Sequence, residues 1–376
     1  MTNVKFKSCV LAVAAAAACA SQLASAVEVT VTRPAQEPAA AFVWTDAAFA
    51  SAKPMTPKVN FLPAHALNFN AAVAEAASTL SVVSVAGDRG GVDARNLRET
   101  RTVSQAMNDL TASAAAEIEP QAVGSGGIHF TSTRTFPSNS DTTYPTRTVG
   151  KLYFHDAATG QNFVCSGSMI KPGVVLTAGH CLHNGVNRFY TNFVFRPGLR
   201  GGVFPYGTWS NWVQGRTTTA WVTGGGGVPN TGDWATIVFG PNSSGFRPGN
   251  YTGWLGYQTH MCIGRHQTTL GYPVNLDSGL QMQRSDSQAN SYGSLNNCTW
   301  GTNMTGGSSG GPVVLNFGVP AVNSGTLPLE NNDNRVVSVV SWGYVNQAVK
   351  VQGGSIVDSV FVSLINNTCS SNPGAC

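Results

Sequence analysis

From residue 148 onward the chain breaks into short apolar runs bounded by Gly, Pro and Asn: 148–154, 174–177, 192–195, 236–239, 312–315 and 335–341. Runs of roughly four to eight residues between turn clusters make strands, because a buried helix needs a longer periodic stretch. Composition agrees. Charged residues are only 11%, against roughly 25% in an ordinary soluble domain. Polarity falls instead to Gly, Ser, Thr and Asn, residues of turns and half-buried strands. The patterning predicts an all-β sandwich or barrel without an internal repeat.

The first residues read differently. Lys5 and Lys7 precede an apolar run at 10–20, followed by Ala24-Ser25-Ala26. A charged start, a short apolar region and an A-x-A site make a signal peptide, expected at 1–26. The run is too short for a bilayer, which takes about 20 apolar residues, and no later segment reads as a span. The product is therefore expected to be secreted, extracellular or periplasmic, with no membrane partner. Residues 27–122 are Ala-rich and contain no cysteine. They include an expected helix at 70–80, "NAAVAEAASTL", and read as the propeptide of a zymogen. The β-rich remainder, 123–376, is the expected functional domain. Net charge is +4 with no basic block, which gives no support to a nucleic-acid partner.

Export also decides how the cysteines read. Two of the eight, Cys9 and Cys19, fall in the signal peptide. Cys165, Cys181, Cys262, Cys298, Cys369 and Cys376 remain, an even number in an oxidising compartment, which favours disulfides. Neighbours in sequence suggest Cys165–Cys181, Cys262–Cys298 and Cys369–Cys376. No C-x-x-C pair occurs, so no metal site and no cofactor are expected.

The stretch "GGSSGGPVV" (306–314) fits two serine hydrolases. Gly307-Ser308-Ser309-Gly310-Gly311 satisfies the G-x-S-x-G of α/β-hydrolases, but that fold needs its histidine after the serine. No histidine follows Ser309. The alternative order is His, Asp, Ser. "VVLTAGHCLHN" (174–184) supplies His180, beside a cysteine placed to clamp its loop; His183 is expected to be exposed. The acid must then be Asp233, Asp277 or Asp286. Asp233 opens "GDWATIVF", where a strand begins at once and Trp234 and Ala235 can shield it. Asp277 and Asp286 read as turn or surface, which leaves Asp233 as the expected acid.

"LTAGHC", "GDWATIVF", "GGSSGGPVV" and "VVSWG" (339–343) stand in the order of the trypsin-like serine peptidases, which the chain resembles over roughly 123–365. Within that family it is similar to the bacterial secreted branch that includes glutamyl endopeptidases. Asp233-Trp234-Ala235 resembles that branch's D-Y-A, and Gly271-Tyr272-Pro273 its G-Y-P. The resemblance implies two six-stranded antiparallel β-barrels with the active site between them. His180 and Asp233 would come from the first barrel and Ser309 from the second. It implies a monomeric secreted endopeptidase acting on protein or peptide substrates through an acyl-enzyme.

In that reading Ser309 is the nucleophile, His180 its base and Asp233 the orienting acid. Backbone N–H groups of Gly307 and Ser309 form the oxyanion hole. Ser341 would bond the acid, Trp342 line the specificity pocket, and Gly343 pair with an extended substrate. Asn303, six residues before the nucleophile, is uncharged, against a Lys or Arg preference. Val340 and Met304 stand where the glutamyl branch has His and Thr. A neutral pocket is expected. Processing is expected near Ala122, in "AVGSGG", rather than at Arg147. Two other functions fit the same fold: a non-catalytic binding or adhesion protein, and an esterase.

Overall fold

A computed structural model of the chain describes residues 29–32, 42–55, 57–60, 81–100, 123–124, 128–135, 139–293, 296–318 and 333–376. The expected signal peptide and the expected helix at 70–80 lie outside the described residues.

Six strands make the first barrel: β1 Val149–Asp156, β2 Gln161–Lys171, β3 Val174–Thr177, β4 Thr191–Pro197, β5 Trp212–Thr218 and β6 Ala235–Phe239. They run in the order β5-β6-β3-β2-β1-β4, each pair antiparallel. The sheet closes where Phe195 of β4 exchanges two backbone hydrogen bonds with Trp209, just before β5, at 2.8 and 2.9 Å. Closure at that end shortens the bare edge and leaves an interior to fill. Leu152, Phe154, Leu176, Phe193, Phe195 and Phe239 fill it, none of them exposed. Each buried side chain of this size contributes about 1.5–3 kcal/mol.

The second barrel takes β7 His266–Gly271, β8 Gln283–Gln288, β9 Asn297–Gly301, β10 Pro312–Leu315, β11 Arg335–Val339 and β12 Val351–Ser355. One sheet runs β8-β7-β10-β11 and a second pairs β9 with β12. Two seams join them. Ser338 of β11 bridges to Ile356 beyond β12, and the Gly301 N–H of β9 donates to Ser287 Oγ of β8 at 3.1 Å. The fold is thus the two six-stranded barrels expected, and several strand limits, such as 174–177 and 312–315, match to the residue.

One longer helix, α1 (Ser359–Ser371), closes the chain. Asp358 caps it, accepting from the N–H groups of Val360 and Phe361 at 2.8 and 3.1 Å. Phe361, Leu364, Ile365 and Thr368 form its buried stripe, the one-face spacing of an amphipathic helix. Phe361 packs edge-on against Trp234, with ring centroids 5.7 Å apart, so α1 backs the residue that follows Asp233. Disulfides join Cys165 to Cys181, Cys262 to Cys298 and Cys369 to Cys376.

The described parts of the segment before residue 123 build no core of their own. They attach to the barrels as extra strands: Val29–Thr32 on β5, Lys53–Pro54 on β2, Lys58–Val59 on the edge strand Trp342–Tyr344, and Ser84–Val85 on Gly256–Gln258. Trp44 Nε1 donates to the Asn192 carbonyl at 2.6 Å, and Phe49 meets Tyr153 edge-on.

Candidate active site

β3 ends at Thr177, and Ala178 leads into a single turn, Gly179–Cys181, that carries His180. The disulfide from Cys181 to Cys165 in β2 fixes that turn to the barrel wall. Gly179 is required by close approach: a Cβ there would lie 2.9 Å from both Asp233 Oδ1 and Thr217 Oγ1.

Asp233 stands two residues before β6. Its flanks are held by β5, where Thr217 Oγ1 donates to the Trp234 carbonyl at 2.8 Å and Thr218 Oγ1 to the Gly232 carbonyl at 2.5 Å. Its own N–H donates to Ser355 Oγ of the second barrel at 3.1 Å. The carboxylate is wholly buried and accepts three hydrogen bonds. Oδ1 accepts the His180 N–H at 2.8 Å, and Oδ2 pairs with His180 Nδ1 at 2.8 Å. Oδ2 also accepts from Ser341 Oγ. A carboxylate can only accept, so Nδ1 is the donor, and in the neutral imidazole the lone pair is on Nε2. Nε2 is buried and has no hydrogen-bond partner among the described residues.

Ser309 sits in the tight loop before β10. The loop is stitched at 2.7 Å from Gly310 N–H to the Val340 carbonyl and at 2.9 Å from Val340 N–H to the Gly311 carbonyl. Gly310 has φ +77°, and a Cβ there would fall 2.0 Å from Thr177 Oγ1 and 2.8 Å from Ala178 N. The loop therefore rests on the strand end that leads into His180. Ser166, beside Cys165, is the pin. Its N–H donates to the Ser309 carbonyl at 2.7 Å. Its Oγ donates to the Gly307 carbonyl at 2.9 Å and accepts the Tyr272 N–H at 2.9 Å. Gly307 has φ +97°.

The family model described as Trypsin matches residues 140–196, which carry β1 to β4 and the His180 turn. Glutamyl endopeptidase of Bacillus licheniformis is 29% identical over 206 residues, 54% of this chain and 58% of that protein. The chain is similar to the trypsin-like peptidases.

Two further comparisons belong with these. Extracellular metalloprotease of Bacillus subtilis is 27% identical to the trypsin-like chain over 190 residues, 48% of this chain and 55% of that protein. Protease Anisep from Arthrobacter nicotinovorans, 28% identical, superposes on 62% of this chain and 98% of its own, with a TM-score of 0.49. The trypsin-like chain spans little more than half the length of the curated relatives it matches.

Beside the Ser309 loop of the trypsin-like chain lies a pocket whose walls include Asn303, Met304, Gly306, Gly343 and Gln352. Asn303 Oδ1 accepts from Ser132 Oγ at 2.6 Å. Ser308 Oγ spends its proton on the Thr305 carbonyl at 2.7 Å, so Gln352 Nε2 must be the donor in their 2.9 Å contact. Trp342 is not among the pocket walls. It is fully buried beneath the edge, packed with Ile128, Tyr344 and Val351, with Nε1 donating to Asn297 Oδ1 at 2.9 Å.

Besides Trp342, the readings of His183 and Asp286 need correction, and Asp277 keeps its turn but not an exposed place. His183 is buried, because its ring packs on Phe189 and its Nδ1 accepts the Gly185 N–H at 3.0 Å; burial lowers its pKa. Asp277 lies in a turn but is buried, paired with Arg134. Asp286 lies within β8, bonded to Arg284 and Thr268. Neither has a bond to His180 among those described. Among the described residues one grouping has metal-ligand atoms, Cys165, His180 and Cys181, but both sulfurs are spent in a disulfide.

Ser166 and Gln352 were missed by sequence reasoning. Ser166 did leave a signal, a hydroxyl next to Cys165 in a buried strand. Gln352 left none.

Proposed function

We propose that the chain is a secreted serine endopeptidase made as a zymogen, with Ser309 as nucleophile, His180 as base and Asp233 as orienting acid. The observation that carries this reading is the buried Asp233 carboxylate holding His180 through Nδ1, with the opposite nitrogen, Nε2, buried and without a hydrogen-bond partner among the described residues. A serine hydroxyl is a poor nucleophile until a base takes its proton. His180 takes it at Nε2 as Ser309 Oγ attacks the scissile carbonyl. Asp233 then stabilises the imidazolium, and His180 returns the proton to the leaving amine. The developing oxyanion is met by the N–H groups of Gly307 and Ser309, each donor worth about 3–4 kcal/mol. Water, activated the same way, releases the acyl group from Ser309.

Residues 1–26 are the signal peptide in this reading, 27–122 a prosegment removed near Ala122, and 123–376 the mature peptidase. Asn303, Met304 and Gln352 are uncharged, and a preference for an uncharged residue rests on those three alone, because Lys58 and Lys350 stand in the same pocket walls. The Gly343 backbone holds the extended peptide as an added strand.

The test is a fluorophosphonate probe on the secreted, processed protein, with the label located by mass spectrometry. Label is expected on Ser309 in the wild type and absent in His180→Ala. Folded, processed wild type that takes no label would sink the reading.

A further inference from the structure

Two stretches of the N-terminal segment lie at the two ends of the candidate site. On the first barrel, Lys53 and Pro54 pair in parallel with Phe163 and Val164, and the Met55 N–H donates to the Val164 carbonyl at 3.1 Å. Val164 directly precedes Cys165, the residue bonded to the His180 turn. On the second barrel, Lys58 and Val59 pair in parallel with Gly343 and Tyr344. The Gly343 N–H donates to the Pro57 carbonyl at 3.1 Å, and the Val345 N–H to the Val59 carbonyl at 3.0 Å. Met55 packs against the first-barrel core and Val59 against the cluster over Trp342. These are added-strand contacts, and they occupy the edge assigned above to substrate. His180, Asp233 and Ser309 are all buried.

Chain direction gives these contacts their meaning. His180 returns its proton to the leaving nitrogen, and His180 stands on the first barrel. Ser309, which keeps the acyl half, stands on the second. A peptide that is cut therefore lays its N-terminal half along Gly343 and its C-terminal half towards Val164. The segment runs the other way, first Lys53 to Met55 on Val164, then Pro57 to Val59 on Gly343. Reversal exchanges the amine and acyl ends at Ser309, so the carbonyl presented has its nitrogen on the side away from His180.

We propose that this groove accepts an extended peptide in the non-hydrolysable direction, and that residues 53–55 and 57–59 are its resident occupant. The proposal rests on the Ser309–His180–Asp233 reading. Pro54 and Pro57 suit the role, because each locks an extended φ and lowers the entropy lost on binding. In parallel pairing Pro57 contributes its carbonyl, so its missing N–H costs nothing at Gly343.

The test compares unprocessed full chains: wild type, Val59→Asp and Met55→Asp, one change at each end of the groove. Fluorophosphonate labelling of Ser309 is followed in time, with hydrogen exchange at the Gly343 and Val345 amides. Both variants are expected to label at least about tenfold faster than wild type. The two amides are expected to be protected in wild type and to lose protection in Val59→Asp. Mass spectrometry of the released prosegment should find residues 51–60 uncut. Equal labelling of Ser309 in all three chains, or a cut within 53–59, overturns the proposal alone. Amides that lose protection without any labelling, in these chains or in processed protein, overturn the triad reading and the proposal with it.

Discussion

The Ser166 N–H donates to the Ser309 carbonyl at 2.7 Å, binding the residue after a disulfide in the first barrel to the candidate nucleophile in the second. The Ser166 hydroxyl adds bonds to Gly307 and Tyr272. Ser166→Ala keeps the backbone bond but strands a buried carbonyl and a buried N–H. Each costs about 1–3 kcal/mol unpaired. The variant should unfold at lower urea and label Ser309 more slowly, with KM for a peptide substrate nearly unchanged. A large rise in KM with normal labelling would contradict this.

Asp233→Asn replaces one carboxylate oxygen by an N–H donor. Oδ2 serves both His180 Nδ1 and Ser341 Oγ, so the imidazole loses the partner that fixes its tautomer. Turnover should fall about 10⁴-fold with the fold intact, measured as kcat alongside circular dichroism. Ser341→Ala removes one donor only and should cost about tenfold.

Gly310→Ala tests how tightly the nucleophile loop is seated. Its φ of +77° is costly for alanine, and the new methyl would sit 2.0 Å from Thr177 Oγ1. Strain and overlap together predict a loss of about 3 kcal/mol or more, read as a drop in the thermal midpoint.

His183 gives a pH dependence of stability. Burial lowers its folded-state pKa below the ordinary 6.5, and Nδ1 is already committed as an acceptor from Gly185. The unfolded chain takes up a proton as pH falls below about 6.5, while the folded chain resists it. The contribution is therefore present above that value and lost as pH falls towards the lowered folded value. Urea unfolding from about pH 7 to 5 should steepen this loss in wild type and flatten it in His183→Gln. Equal slopes would place the dependence elsewhere.

The triad candidates were legible because each sits in a short local pattern: His180 in T-A-G-H-C, Asp233 at a strand start, Ser309 between glycines. The strands were legible for the same reason, with Val, Ile and Phe between turn residues. What stayed hidden depends on partners distant in sequence. His183 looked like an exposed loop histidine, and its burial needs Trp221, whose Nε1 bonds the His183 carbonyl at 2.8 Å. Gln352 becomes a pocket wall only once β12 lies beside Gly343. Residues 27–122 read as a separable unit because the composition changes at 123, while the strands described within them pair with the barrels through backbone atoms that every residue type carries.

The strand Val29–Thr32 covers β5 from Gly215 to Thr218. If residues 27–122 are excised, as proposed above, that row of peptide groups loses this partner. A bare rim of this kind is a template for another chain. On that reading maturation does more than free the candidate site: it gives the first barrel an adhesive flank, with Arg216 as its gatekeeper charge.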